Sequence, residues 1–89
     1  MIFFWNEEKN RQLKKTRDIC VENVVDAVDR GKILDITENP NYPHQKILVI
    51  HYNDYAYLVP YVLKSPETYF LKTIILSRKA TKKYLFSLV

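Results

Sequence analysis

The chain has 89 residues, 47% of them hydrophobic and 13% aromatic, with one cysteine and one glycine. That leaves room for one core and no second domain, and it excludes disorder, an internal disulfide, a multi-cysteine zinc centre and a glycine-rich phosphate loop. The net charge of +4 is uneven: residues 1–67 hold nine Lys/Arg against ten Asp/Glu, whereas 68–89 hold Lys72, Arg78, Lys79, Lys82 and Lys83 and no acid.

A basic end suits a polyanion or an acidic protein partner and, on charge alone, equally suits a solvated face. The opening MIFFWNEEKN lacks the basic start, apolar run and small-residue cleavage site of a signal peptide. No apolar stretch approaches the roughly 18 residues of a membrane span. With a lone thiol as well, the expectation is a cytoplasmic protein with no membrane association.

Ile2 to Trp5 reads as a short first strand, ended by Asn6, a good helix N-cap followed by Glu7 and Glu8 in the first turn. A helix should run on to about Thr16. Leu13 is its one clear core residue, so tertiary packing must supply most of its stability. The second helix is better marked, with Val21, Val24, Val25 and Val28 at i, i+3, i+4 and i+7 and Glu22, Asp26 and Asp29 on the other side. Gly31, just past Arg30, supplies the left-handed residue that ends it.

Ile33 to Ile36 forms a short extended piece, and Pro40 and Pro43 make the following segment a loop. Three β runs come next, Lys46 to Tyr52, Tyr55 to Leu63 and Tyr69 to Ser77, joined by Asn53-Asp54 and the KSPET loop. Pro60 predicts a bulge or an unpaired stretch in the second run. A last helix, N-capped by Ser77, carries Thr81, Tyr84, Leu85 and Leu88 at helical spacing. The fold class expected is α+β, with a short N-terminal strand and two helices packed on a three- to four-stranded antiparallel sheet and a C-terminal helix.

The segment SRKATKK, residues 77–83, carries the strongest chemical signal. Arg78 and Lys79 fall in the first turn of the last helix, where the macrodipole disfavours positive charge, and a local rule broken without compensation points to function. Free backbone N–H groups, the Ser77 and Thr81 hydroxyls and two cations would hold a phosphate. The alternative is that Arg78 pairs with Asp35 or Glu38. In YPHQK, Tyr42, His44 and Lys46 bring an aromatic, a titratable ring and a cation together, though a loop histidine is also an ordinary solvated residue. His51 reads as a hydrogen-bonded sheet residue.

Tyr55, Tyr57 and Tyr61 share one strand face and either stack bases or pack the core. Cys20, at a helix start, is either an activated thiol or a cap. No ligand spacing for a metal is present, and no cofactor is expected.

The opening FFWNEEKN, the helix start CVENVVDAV, the GKILD step and the ending LKTIILSRKATKKYL together resemble the BrnT family of type II toxin-antitoxin systems, across residues 2–85. The resemblance implies a RelE-like fold and a toxin that cleaves RNA and arrests translation, on or off the ribosome. It also implies a co-encoded antitoxin of ribbon-helix-helix or helix-turn-helix type, through which alone the toxin would meet operator DNA. By this resemblance Arg78 is the best catalytic match, and Lys46 or His44 stands where the family places a basic residue before the meander.

The chain departs from the family in using lysine after Arg78 and in its apolar end, LFSLV. The mechanism expected is metal-independent, with the RNA 2′-OH attacking the adjacent phosphorus. Arg78 with Lys79 would stabilise charge, Lys46 or His44 would move protons, and Lys72, Lys82 and Lys83 would hold the backbone. The rival expectation is a non-catalytic module that binds an antitoxin-like partner. A further alternative is a gyrase-directed toxin of the ParE kind.

Overall fold

Asn6 caps the first helix as its position predicts: its side-chain oxygen accepts from the Lys9 N–H at 3.0 Å, and α1 runs Glu7–Arg17 behind the edge strand β1, Ile2–Phe4. Asp18, in the left-handed region at φ 54°, turns the chain into α2, Val21–Asp29, which Gly31 at φ 72° closes. The structure, a computed structural model, describes residues 1–86. Leu88, expected on the last helix, therefore lies outside the described residues.

The remaining elements are β2 (Ile33–Glu38), β3 (Lys46–Tyr52), β4 (Tyr55–Ser65), β5 (Thr68–Leu71), β6 (Ile75–Ser77) and α3 (Arg78–Leu85). Asn53 and Asp54 both have positive φ, the geometry of a two-residue hairpin turn, which fixes the β3–β4 register.

The sheet has six strands in the order β1-β5-β4-β3-β2, with β6 on the same side of β4 as β5. It is mixed, since β1 runs parallel to β5 while the other pairs are antiparallel. This corrects the expected three- to four-stranded antiparallel sheet. The α+β class and the chain order of helices and strands stand.

The extra strand count has a physical cause in the last β run. Leu71 faces Tyr61 and Ile75 faces Leu58, so residues 72–74 stand opposite residues 59–60. That is one extra residue, a bulge. It lies against Pro60, which has no N–H to offer a ladder, and the Pro60 carbonyl takes the Lys72 N–H at 2.8 Å instead. Within the bulge Ile74 turns fully into the core, and its carbonyl accepts from the Arg17 guanidinium at 2.7 Å. The expected unpaired stretch at Pro60 is thus present on the β5–β6 side.

Strand alternation gives the sheet two covered faces. Leu48, Ile50, Tyr57, Val59 and Tyr61 form the main core with Leu13, Val21 and Val24 of the first two helices and Ile19 of their connection. On the reverse face Val49 and Ala56, with Ile47 and Leu58 beside them, lie under Ala80 and Tyr84 of α3.

One contact joins the two N-terminal helices. Asn10 is 7% exposed; its oxygen accepts from the Val21 N–H at 2.7 Å and its amide donates to Glu22 at 2.9 Å. A side chain of α1 therefore caps α2. The same amide holds the Glu22 carboxyl below its ordinary value. Cys20 is tied locally, its backbone N–H and thiol both donating to the Asn23 side-chain oxygen.

Candidate nucleic-acid interface

Ser77 ends β6 with extended backbone, and its hydroxyl accepts from the Ala80 N–H at 3.0 Å. This cap starts α3 at the sheet's end and places Arg78 at the helix's first position. Lys82 follows one turn later on the same side. The two cations line a cleft of about 610 Å³ with Tyr55, Leu76, Thr81 and Phe86, a volume within the range of ligand sites. Three of these walls are open to solvent, Tyr55 at 44%, Leu76 at 41% and Phe86 at 58%.

Among the described residues no acid lines this cleft. The two carboxylates considered as partners for Arg78 are engaged elsewhere: Asp35 accepts from the Tyr84 hydroxyl, and Glu38 lies 3.8 Å from Lys46. Among the described residues Arg78 forms no ion pair. Its guanidinium is available to a ligand.

The two hydroxyls expected to touch RNA have other tasks. Thr81 is 4% exposed; it donates to the Ser77 carbonyl at 2.6 Å and accepts from the Ala56 N–H at 2.8 Å, which pins α3 to β4. Ser77 is the cap already described. Thr81 spends its donor and an acceptor direction inside the fold, which corrects its reading as a ligand contact, whereas Ser77 is engaged only as an acceptor among the described residues and keeps its O–H. Lys79 and Lys83 are exposed on other sides of α3, Lys83 with its ammonium 5.1 Å from the Tyr84 ring centroid.

His44 and Lys46 do come together, in a second, smaller cleft of about 140 Å³ with Glu38, Tyr61 and Leu63. They do not join Arg78. Lys46 faces Tyr61 and Ser77 faces Ala56, five residues apart on β4, or about 17 Å at the usual strand rise. Lys46 also alternates with Leu48 and Ile50 on the α1–α2 face, opposite to α3. One phosphate cannot be served by both groups, so the single site expected from the sequence is two sites. Lys72 follows β5 beside Pro60, four residues along β4 from the Ala56 that Ser77 faces, and does not line the Arg78 cleft. His51 pairs with Ala56 in the ladder.

Tyr57 and Tyr61 are core residues, 8% and 3% exposed, and burial pushes both phenols up. Of the three tyrosines read as one face, Tyr55 alone reaches the Arg78 cleft. Leu76 and Phe86 went unnoticed in the sequence. Phe86 stands two helical turns from Arg78, which is the signal that would have found it.

The far end of α3 is held by the Tyr84–Asp35 hydrogen bond, which lowers the Asp35 carboxyl below its ordinary 3.8 and raises the Tyr84 phenol above its ordinary 10.0. A depressed carboxyl contributes stability above its unfolded value and loses it as pH falls through the folded one. A raised phenol contributes below its unfolded value and loses it as pH rises through the folded one. The bond should therefore act fully between pH 3.8 and 10.0. The melting-temperature difference between the parent and Tyr84→Phe should be widest inside that window and shrink on both sides; a difference independent of pH would sink this assignment.

Among the described residues no group of three His, Cys, Asp or Glu side chains is placed to hold a metal ion. No described helix is long and apolar enough to cross a membrane. Comparison with protein-family models, curated proteins and solved structures gives no match in any of the three.

Proposed function

We propose that this chain is a RelE-like toxin of the BrnT type that binds single-stranded RNA in the Arg78 cleft and cleaves it through the RNA's own 2′-OH. One observation carries the reading: an arginine with no ion pair among the described residues stands beside a second cation and two exposed aromatic rings, with no acid among the described residues of the lining. A guanidinium fork grips phosphate, as it does carboxylate, through two parallel hydrogen bonds. Tyr55 and Phe86 offer faces on which bases stack.

Arg78, assisted by Lys82, neutralises charge on the phosphoryl oxygens, and the Tyr55 phenol, both donor and acceptor, is the group in the lining able to pass a proton. The α+β layering and the basic last helix support the RelE-like reading. A cytoplasmic setting and a DNA-binding antitoxin that neutralises the chain by covering this cleft belong to the same proposal.

A second reading is favoured by the separation of Lys46 and His44 from Arg78, which leaves the cleft without an imidazole or carboxylate among the described residues. On that reading the domain binds its partner and does not cut. Mapping transcript ends in cells after induced expression decides between them. New internal 5′ ends in RNA, with DNA intact because it lacks the 2′-OH, are expected. Unbroken transcripts would leave the binding module, and unbroken transcripts with a DNA-damage response would point to a gyrase-directed toxin.

A further inference from the structure

The eight residues of α3 span about 12 Å. They cover Ala56, Leu58, Val49 and Ile47 but not the far half of the same sheet face. In that half β1, β5 and β4 lie in register, Phe4 beside Phe70 and Phe70 beside Val62. Phe3 and Trp5 turn into the core, so alternation sends Ile2 and Phe4 to the outer face, where they are 51% and 53% exposed.

Two lysines reach over this surface. The Lys64 and Lys72 ammonium groups stand 5.7 and 5.0 Å from the Phe70 ring centroid. Neither is ion-paired among the described residues. Glu67, the nearest acid in sequence, sits in the β4–β5 turn.

An open apolar surface of this kind marks a contact site, and the lysines on it select an anionic occupant with flat apolar parts. A nucleic-acid strand carries planar bases beside phosphates, and this surface sets Phe4 and Phe70 beside Lys64 and Lys72. We infer that the helix-free half of the sheet face binds single-stranded RNA, as a continuation of the Arg78 cleft. The inference rests on the RNA-directed reading above. Ser77 faces Ala56 and Phe70 faces Val62, six residues apart on β4, or about 20 Å. A strand of a few nucleotides spans that gap, so the two regions hold neighbouring segments of one RNA.

The test titrates a short fluorescent uridine-rich RNA at several salt concentrations into the parent chain, Phe4→Ser, the double variant Lys64→Glu with Lys72→Glu, and Arg78→Ala. Ultraviolet crosslinks on the parent are mapped by mass spectrometry. All the altered side chains are exposed, and a thermal melt checks that each variant is folded. Phe4→Ser is expected to weaken binding about fivefold or more. The double variant should reduce the salt slope by roughly 0.7 per lysine. Crosslinks should fall on Phe4 or Phe70 as well as on Tyr55 or Phe86.

Parental affinity in both sheet-face variants, with crosslinks confined to Tyr55 and Phe86, overturns the inference and leaves the Arg78 cleft standing. Loss confined to the sheet-face variants keeps RNA binding by the sheet face and overturns both the Arg78 cleft and its continuity with this face. A parent chain that binds no RNA overturns both. If Phe4→Ser changes self-association and not RNA affinity, the face is a protein contact and the inference falls.

Discussion

Arg78→Ala is expected to slow RNA cleavage on the order of a hundredfold or more and to leave the melting temperature where it was. The first half follows from chemistry. Displacement at phosphorus by the 2′-OH piles negative charge on the nonbridging oxygens, and a positioned cation acts on that charge more strongly in the transition state than in the ground state. The second half follows from the fold. Arg78 is exposed and makes no ion pair among the described residues, so its removal strands no buried partner, and a surface change of this kind stays within about 0.5 kcal/mol. Arg78→Lys keeps the charge and loses the two-pronged grip, so it should recover part of the rate. Cleavage and growth arrest by Arg78→Ala equal to those of the parent would remove Arg78 from the mechanism.

Asn10→Ala should destabilise the opposite side of the sheet, costing about 2–3 kcal/mol and lowering the melting temperature by about 10–20 °C. The buried amide does two things at once, capping α2 through Val21 and holding Glu22. Alanine would leave the Val21 N–H, in a residue 3% exposed, with no acceptor. An unmet buried donor alone costs about 1–3 kcal/mol. Urea unfolding measures the effect, and a loss under about 0.5 kcal/mol, the scale of a neutral surface change, would show that the cap is dispensable.

These two residues differ in how far the sequence announces them. Arg78 stands out because a cation in a helix's first turn violates a local rule. Asn6, Gly31, Asn53-Asp54 and Ser77 are likewise legible, since each does its work within a few residues of itself. Asn10 carries no such mark. Its partners lie on another helix, and in a helix with little apolar content it reads as one more polar surface residue. The pairing of β1 with β5 escaped for the same reason, because it joins the two ends of the chain through contacts with no local signature.

The candidate site divides along that line too. Arg78 and Lys82 follow from helical spacing. Separating them from His44 and Lys46 needed the strand register, which decides both the distance along β4 and which side of the sheet a residue meets. Tyr55 shares its parity with Tyr57 and Tyr61, yet its place at the strand's first position leaves it in solvent while they are sealed in the core.

The extra residue opposite Pro60 constrains what the chain can tolerate in length. Deleting Lys72 or Thr73 would leave two residues opposite Val59 and Pro60, an even ladder, with Ile75 still opposite Leu58 and Ser77 still opposite Ala56. The strand after the bulge, the serine cap and the guanidinium behind it would keep their places. A residue added there would have no strand position to fill and would have to loop out. The linker is therefore more open to losing one residue than to gaining one.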